Sequence, residues 1–411
     1  MQKETLMPTY MKNFSCIGSA CEDSCCVGWR VTLDKKTFKN YKNLKHPVLG
    51  KKLNDSMKRI KNGTSSDSQY AYFVMDDHKR CPMLEESGLC GIQATIGEEM
   101  LSATCTTYPR VINKVDTNYE MSAKLSCPEI SRLALLNPEG IEFEHTEYDM
   151  NSAWGMNNDF LDSSKSENGE NLFWPLRMFT IGIIQNRSLE LSDRMIFLGI
   201  FINKVQSLID SKEYNKIATV IAEYKSKINN KEYIASLMNI KSSPELQLRL
   251  VVELIQKRNV SGGEVPRYLE SYIDMCKGFN IQEKETFDLE KLKITYKENY
   301  SNYYKRFNED YGYILENYLV NYIFESLFPN IKKSDIFNHF TRMSVLYSML
   351  RIHLVGVAGY HNGLSEEIAI KVIQSFARVV EHNMFYLNSI TDSLQQSGMD
   401  TLAHIVSLLK E

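Results

Sequence analysis

Nine cysteines stand in the 411-residue chain, and eight of them fall between Cys16 and Cys127. They read CIGSACEDSCC (Cys16, Cys21, Cys25, Cys26), CPMLEESGLC (Cys81, Cys90), TCTTYPR (Cys105) and LSCPE (Cys127). Thiolate is a soft donor, suited to zinc or to an iron–sulfur cluster. One site uses about four ligands, so eight cysteines imply either two sites or some unliganded thiols. Neighbouring side chains normally diverge, so of Cys25 and Cys26 one is expected to bind metal while the other packs or serves a second site. The spacing matches neither the paired CxxC knuckles of a zinc ribbon nor the C-x₂-C-x₂-C run of a ferredoxin. On spacing alone the metal stays open between zinc and iron. Pro82, Pro109 and Pro128 follow or flank three of the cysteines, and Gly18, Gly28 and Gly91 allow tight turns beside them. Arg110 is a cation placed to balance thiolate charge. Cys276, alone in the rest of the chain, reads as a small buried hydrophobe.

The elements that must position these residues change along the chain. Residues 1–140 are short mixed segments and form the expected cysteine-rich module. WRVTLDKKTFKNY predicts a strand over Trp29–Leu33 and a helix starting near Asp34. QYAYFVM, residues 69–75, alternates aromatic and small side chains and predicts a strand leading to Cys81. Residues 141–171 are acidic, rich in Asn, Ser and Gly, and without period, which predicts a linker or mobile loop. Residues 172–411 carry helical periodicity and form the expected helical domain. RMIFLGIFINKVQSLI is one helix; YGYILENYLVNYIFESLFP is another, stopping before Pro329. SEEIAIKVIQSFARVVEHNMFYL predicts a third, capped by Ser365, with Ile368, Val372, Phe376, Val379 and Phe385 on its apolar stripe. Within it Arg378 and Glu381 are spaced to pair, while Glu316, Asn317 and Asn321 read as helix-packing polars. The expected fold is mainly α, a metal-cluster module with short strands followed by a helical domain.

Composition bounds the function. Lys plus Arg total 48 and Asp plus Glu 51, a net charge of -3. That balance argues against a protein that coats nucleic acid by counterion release. The longest apolar run, Met195–Ile202, is far short of the roughly 18 residues a membrane span needs. The start, MQKETLMPTYMKNF, has no secretory pattern, so the chain is expected in the cytosol, where thiols stay reduced.

Taken in order, SCIGSACEDSCCVGWRVTLDKKTFKNY, CPMLEESGLCGI, TCTTYPR and MSAKLSCPEISRLAL resemble the flagellin lysine-N-methylase family. The first part also resembles a broader group of zinc- or iron-chelating cysteine-cluster proteins. The likeness continues through LRMFTIGIIQNRSLELSDRMIFLGIF, LENYLVNYIFESLFP and IQSFARVVEHNMFYL, and so covers most of the chain. It implies methyl transfer from S-adenosylmethionine to lysines of flagellin, and a [4Fe-4S] cluster held by cysteines between Cys16 and Cys127. Cys21, Cys25, Cys26, Cys81, Cys90 and Cys105 lie in the best-matched motifs, followed by Cys16 and Cys127.

A lysine amine is protonated in water and must lose its proton before it attacks a methyl sulfonium; an apolar channel lowers its pKa and a carboxylate or tyrosine accepts the proton. Tyr108, Glu98 and Glu99 lie among the cysteine motifs and are the nearest candidates for the base, with His382 a fourth on the helical side. The methyl donor has no visible cradle: neither a Rossmann glycine turn nor a CxxxCxxC run is present. Chelation of the donor by an incompletely ligated iron, and polar transfer beside a purely structural cluster, both fit the residues. A lysine-accepting groove between the two regions, with residues 141–171 closing over it, is a further expectation. The alternatives from other classes are a non-enzymatic zinc- or iron-binding adaptor for a protein partner, and an iron–sulfur redox enzyme.

Overall fold

In a computed structural model, the structure describes residues 2–61, 66–151, 154–156, 160–166, 168–238, 248, 265–281, 288–333 and 335–410. The chain divides into two compact units, Met1–Ile130 with Phe143–Asp159, and Ser131–Glu142 with Phe160–Glu411.

The first unit is built on two sheets. In the smaller one, β2 (Thr32–Leu33), β3 (Met57–Arg59) and β4 (Ala71–Phe73) pair antiparallel in the order β2-β4-β3. Strands this short suffice because one face carries Val31, Leu33, Ala71 and Phe73 into a core shared with Tyr41, Leu53, Met83 and Ile92. The expected helix after the first strand is α1 (Lys35–Asn43). Asp34 caps it, its carboxylate accepting from the Thr37 amide at 2.8 Å and the Thr37 hydroxyl at 2.6 Å. This satisfies a first-turn amide that has no partner inside the helix. Helix α2 (Leu49–Ser56) packs on α1 and runs into β3.

Sequence periodicity missed the larger sheet. Its strands are β1 (Gln2–Pro8), β5 (Arg110–Val115), β6 (Asn118–Ala123) and β7 (Phe143–Asp149). Their order is β7-β1-β6-β5, with β1 parallel to β6 and antiparallel to β7. β5 and β6 form a hairpin around Asp116-Thr117, and Asp116 takes the left-handed φ of 56° that a two-residue hairpin loop demands. β7 lies inside the stretch that composition reads as a linker. Its sequence, FEHTEYD, is mostly polar and lacks a clean alternation, and the partner β1 sits more than 130 residues earlier, so only tertiary pairing reveals it.

The second unit is helical, and the chain as a whole is mostly helix. Helices α6 (Phe173–Ile184) and α7 (Leu191–Asp210) pack together, and α13 (Tyr313–Glu325) packs on α6. The centre is α14 (Ile336–His361), apolar on nearly every side and buried over most of its length, as expected of a helix enclosed by others. Helix α10 (Pro266–Gly278) lies against it so closely that a Cβ at Gly278 would collide with the Gly356 carbonyl. Among the described residues no helix is long and apolar enough to cross a membrane.

One expectation about the helices needs correcting. The predicted helix after Ser365 is α15 (Glu366–Phe376), and Ser365 caps it as expected, accepting from the Ile368 amide at 3.3 Å. It passes into a π-helical turn at Ala377–Glu381, and a new helix, α16 (Met384–Gln396), starts behind Asn383. The helix is interrupted there, so Phe385, expected on the buried stripe of one continuous helix, lies in the first turn of a new one and is 91% exposed.

Two buried polar groups hold this unit in register. The Glu316 carboxylate, 2% exposed, accepts from Arg187 Nη2 at 2.8 Å and Arg194 Nη1 at 2.6 Å. Asn317 beside it donates to the carbonyls of Leu135 and Asn137, the packing role its position in α13 suggests. His353 on α14, fully buried, shares a 2.8 Å hydrogen bond with Ser271 on α10. Burial pushes the His353 imidazole down to about 4, against weaker opposing effects from Ser271 and the Asp274 carboxylate.

Replacing Glu316 by Leu strands the buried Arg194 charge, and the expected loss is about 3–5 kcal/mol. A lowered midpoint in urea unfolding checks this; an unchanged midpoint would show that the arginines find other partners. His353 is neutral when folded and binds a proton more readily when unfolded. Its contribution is therefore complete above pH 6.5 and declines as pH falls towards about 4. The slope approaches ~1.4 kcal/mol per pH unit at most. His353→Gln should flatten the decline in stability between pH 6.5 and 4, measured as unfolding midpoint against pH.

Candidate active site

The cysteine segments meet within the first unit, and backbone hydrogen bonds bring them together. The Cys81 amide donates to the Cys26 carbonyl at 2.8 Å and the Gly28 amide to the Lys79 carbonyl at 2.9 Å, so the two loops lie side by side. Gly28 makes this approach with a left-handed φ of 86° that a side chain would oppose. The CPMLEESGLC loop closes on itself, with Leu84 paired to Cys90 and the Gly91 amide donating to the Met83 carbonyl at 2.7 Å. Cys90 then stands at the start of α3 (Gly91–Ile96). Cys105 lies in α4 (Ala103–Thr107), whose cap Ser102 accepts from the Cys105 amide at 3.3 Å. Thr104 ties α4 to β2 by donating to the Thr32 carbonyl at 3.0 Å, and Tyr41 ties α1 to the Met100 carbonyl at 2.6 Å.

These contacts place Cys25, Cys26, Cys81, Cys90 and Cys105 around one cavity of about 70 Å³. Its other walls are Trp29, Tyr41, Phe73 and Tyr108, together with Val31, Met83, Ile92, Leu101 and Gln93. Cys25 and Gln93 are exposed, whereas Phe73, Cys81 and Met83 are buried, so the cavity has a wet rim and a dry floor. Cys25 and Cys26 both line it, where sequence had expected the pair to diverge; the turn at Ser24–Val27 brings both side chains round to one side.

The thiols are electrostatically strained. Burial pushes Cys81 up to about 11 and Cys105 up to about 12. Cys26 is raised far more, because its sulfur hydrogen-bonds to those of Cys25 and Cys90 and is itself buried. Cys90 is lowered to about 6, first by the hydrogen bond from Cys26 and then by the amides of Gln93 and Ile92 at the start of α3. No basic residue is among the lining side chains. Five thiols in such a cavity ionise together only when a cation enters, and a soft metal centre is the cation that sulfur favours. Among the described residues no three Cys, His, Asp or Glu side chains converge tightly enough to hold a single ion; the thiols ring a space.

The remaining predicted residues lie elsewhere. Cys21 and Cys127 are close enough to Cys25 for their charges to interact, and burial raises both, Cys127 to about 12. Cys16 is exposed, and Cys276 is only half-buried on α10. Of the base candidates, Tyr108 lines the cavity, its hydroxyl 3.1 Å from that of Ser126. Glu98 and Glu99 are exposed on a 3-10 turn, and His382 is exposed beyond the π-helical turn of the second unit. Arg110, expected beside the thiolates, instead stacks over the rings of Phe14 and Trp154, at 5.1 and 4.5 Å. Glu381, spaced to pair with Arg378, accepts a hydrogen bond from Tyr318 at 2.7 Å. Sequence reading did not single out Trp29, Tyr41 or Ser126 as site residues. Trp29 carried a signal, standing three residues after Cys26 behind Gly28; Tyr41 and Ser126 carried none.

Alkylation of the native, metal-free protein should follow this burial. Among Cys25, Cys81 and Cys105, exposed Cys25 should react first and the other two only as the protein unfolds, as read by mass spectrometry of iodoacetamide adducts. Equal rates at all three would contradict the dry floor.

The model of the FliB lysine N-methylase C-terminal domain matches residues 177–408. The chain is 23% identical over 382 residues to the lysine-N-methylase of Salmonella typhimurium (strain LT2), covering 92% of this chain and 91% of the relative. It is 22% identical over 381 residues, with the same coverage, to that of Salmonella choleraesuis (strain SC-B67). It is also 34% identical over 134 residues to the flagellar biosynthetic protein FliU of Salmonella muenchen, covering 33% of this chain and 78% of the relative. No solved structure matches. The family match extends over more than half of the chain, and the full-length relatives run in parallel with nearly all of it: the chain belongs to the FliB lysine N-methylase family.

Proposed function

We propose that this protein transfers the methyl group of S-adenosylmethionine to lysine side chains of flagellin, and that its cysteine cavity holds a [4Fe-4S] cluster. The family supports the methylase part, and the flagellar name of one relative supports the substrate. The observation that carries the site is the ring of five thiols, contributed by three separate segments, around one apolar cavity. Sulfur donors spaced around a volume suit a polynuclear cluster, where a single zinc ion needs four donors converging on a point. Cys25, Cys26, Cys81, Cys90 and Cys105 supply the candidate ligands, more than one cubane requires; Cys21 and Cys127 flank them. When bound, such a cluster offers an iron centre able to chelate the amino and carboxylate groups of the methyl donor.

The residues of the chain do the rest. Tyr41 and Phe73 keep water from the thiol ring, and exclusion of water beside it lowers the pKa of a lysine amine that enters at the rim. The neutral amine attacks the methyl carbon: the new N–C bond forms as the S–C bond breaks, and S-adenosylhomocysteine leaves as a neutral thioether. Tyr108 is the base candidate at the cavity: as the phenolate it would take the amine proton, and Ser126 hydrogen-bonds its oxygen at 3.1 Å. The cytosol, with its reduced thiols, is the compartment that suits nine free cysteines.

The test is anaerobic purification with iron and sulfide analysis, followed by transfer of labelled methyl groups to flagellin. Matching iron and sulfide, with label on flagellin lysines, is the expected result. Cys90→Ala and Cys105→Ala should lower iron content and transfer together by more than tenfold. Zinc in place of iron, with no label transferred, would favour a metal-stabilised adaptor instead.

A further inference from the structure

We propose that Trp29 and Tyr108 form an aromatic wall at the rim of the cysteine cavity that binds an onium group, either a methylsulfonium or an alkylammonium. The proposal rests on the methylase reading and adds the device that tells charged ligand from neutral product.

Both rings line the cavity, their centroids 5.6 Å apart and their planes tilted by 43°. The polar edge of each is tied back into the protein. The Trp29 indole N–H donates to the Cys25 carbonyl at 2.5 Å, and the Tyr108 hydroxyl shares a 3.1 Å hydrogen bond with Ser126. Each ring is therefore held in orientation and offers the cavity mainly π surface. Both are half-buried, and Trp29 is bonded to exposed Cys25, whereas Phe73 and Met83 in the same lining are buried. The pair therefore belongs to the solvent-facing part of the lining.

Charge decides what the pair would hold. The lining includes no carboxylate, so a cation entering here is offset by ring faces and sulfur. The negative face of an aromatic ring attracts a diffuse cation such as a sulfonium or a substituted ammonium, with Trp the strongest. A neutral thioether of nearly the same shape gains nothing from that field. The wall therefore favours the charged donor over the spent one, or the amine-bearing side chain over a neutral isostere, and the two can be told apart.

The experiment is equilibrium binding to anaerobically purified protein. One arm compares S-adenosylmethionine with S-adenosylhomocysteine. The other compares a trimethyl-lysine peptide with its neutral tert-butyl isostere. Trp29→Leu and Tyr108→Leu should shift the charged-to-neutral affinity ratio by between about 2- and 30-fold towards the neutral ligand. Trp29→Phe and Tyr108→Phe should keep most of it. A shift confined to the first arm assigns the wall to the sulfonium, and one confined to the second assigns it to the lysine. Should the leucine variants not fold, fluorinated tryptophans in place of the three native ones leave shape intact, and the ratio should fall with each added fluorine. Equal loss for charged and neutral ligands, or no change in either ratio, overturns the proposal. Discrimination without methyl transfer to flagellin would sink the methylase reading and leave the wall standing. Transfer with discrimination indifferent to both rings would do the reverse.

Discussion

The first unit depends on the removal of thiols from water. A buried thiol is comfortable only while it keeps its proton, and Cys81 and Cys105 are pushed up to about 11 and 12 for that reason. Cys26 and Cys90 show the same pressure as a pair: one sulfur donates, the other becomes the easier to ionise. An enclosure that resists thiolate yet gathers five thiols around one space is coherent when a positive metal centre completes it. The loops that build it are held by backbone contacts such as Cys81 to Cys26, so their geometry is kept by the fold independently of the sulfur chemistry.

The second unit solves a different problem. Its central helix α14 is buried almost throughout, so each crossing against it must be close and each polar group on it must be answered. Gly278 meets the Gly356 backbone where any side chain would clash, and His353 finds Ser271 on the same facing helix. Glu316 on α13 is buried against Arg194 of α7 and also holds the half-exposed Arg187, which ties those two helices in register. The helices themselves were legible in the sequence because period 3.6 leaves a strong mark. The π-helical turn at Ala377–Glu381 and the break at Asn383 were not, since the apolar stripe runs on across them in sequence, and Phe385 stands on the surface at the start of a new helix.

The gathering of cysteines was legible in the sequence, and the geometry of the cavity they line was not. Clustering of eight cysteines marked a sulfur site, and Tyr108 was named because it stands three residues from Cys105. The same nearness in sequence also named Glu98 and Glu99, which a turn carries out to solvent. It named Arg110 as a thiolate partner, though its guanidinium stacks on Phe14 and Trp154. Tyr41 lies 40 residues from the nearest cavity cysteine on its C-terminal side, Cys81, and reaches the site only because α1 packs under α4's neighbouring loop.

By itself the sequence determined where the cysteines concentrate, the helical texture of the second half and the caps at Asp34 and Ser365, because these rest on residue identity and on contacts within a few positions. Tertiary structure alone decided which cysteines share a cavity, that Trp29 and Tyr108 stand together at its rim, and that β1 pairs with β6 and β7. Those facts join residues tens to more than a hundred positions apart. Nothing local in a chain encodes a pairing whose energy comes from desolvation and backbone hydrogen bonds formed only once the distant partner has arrived.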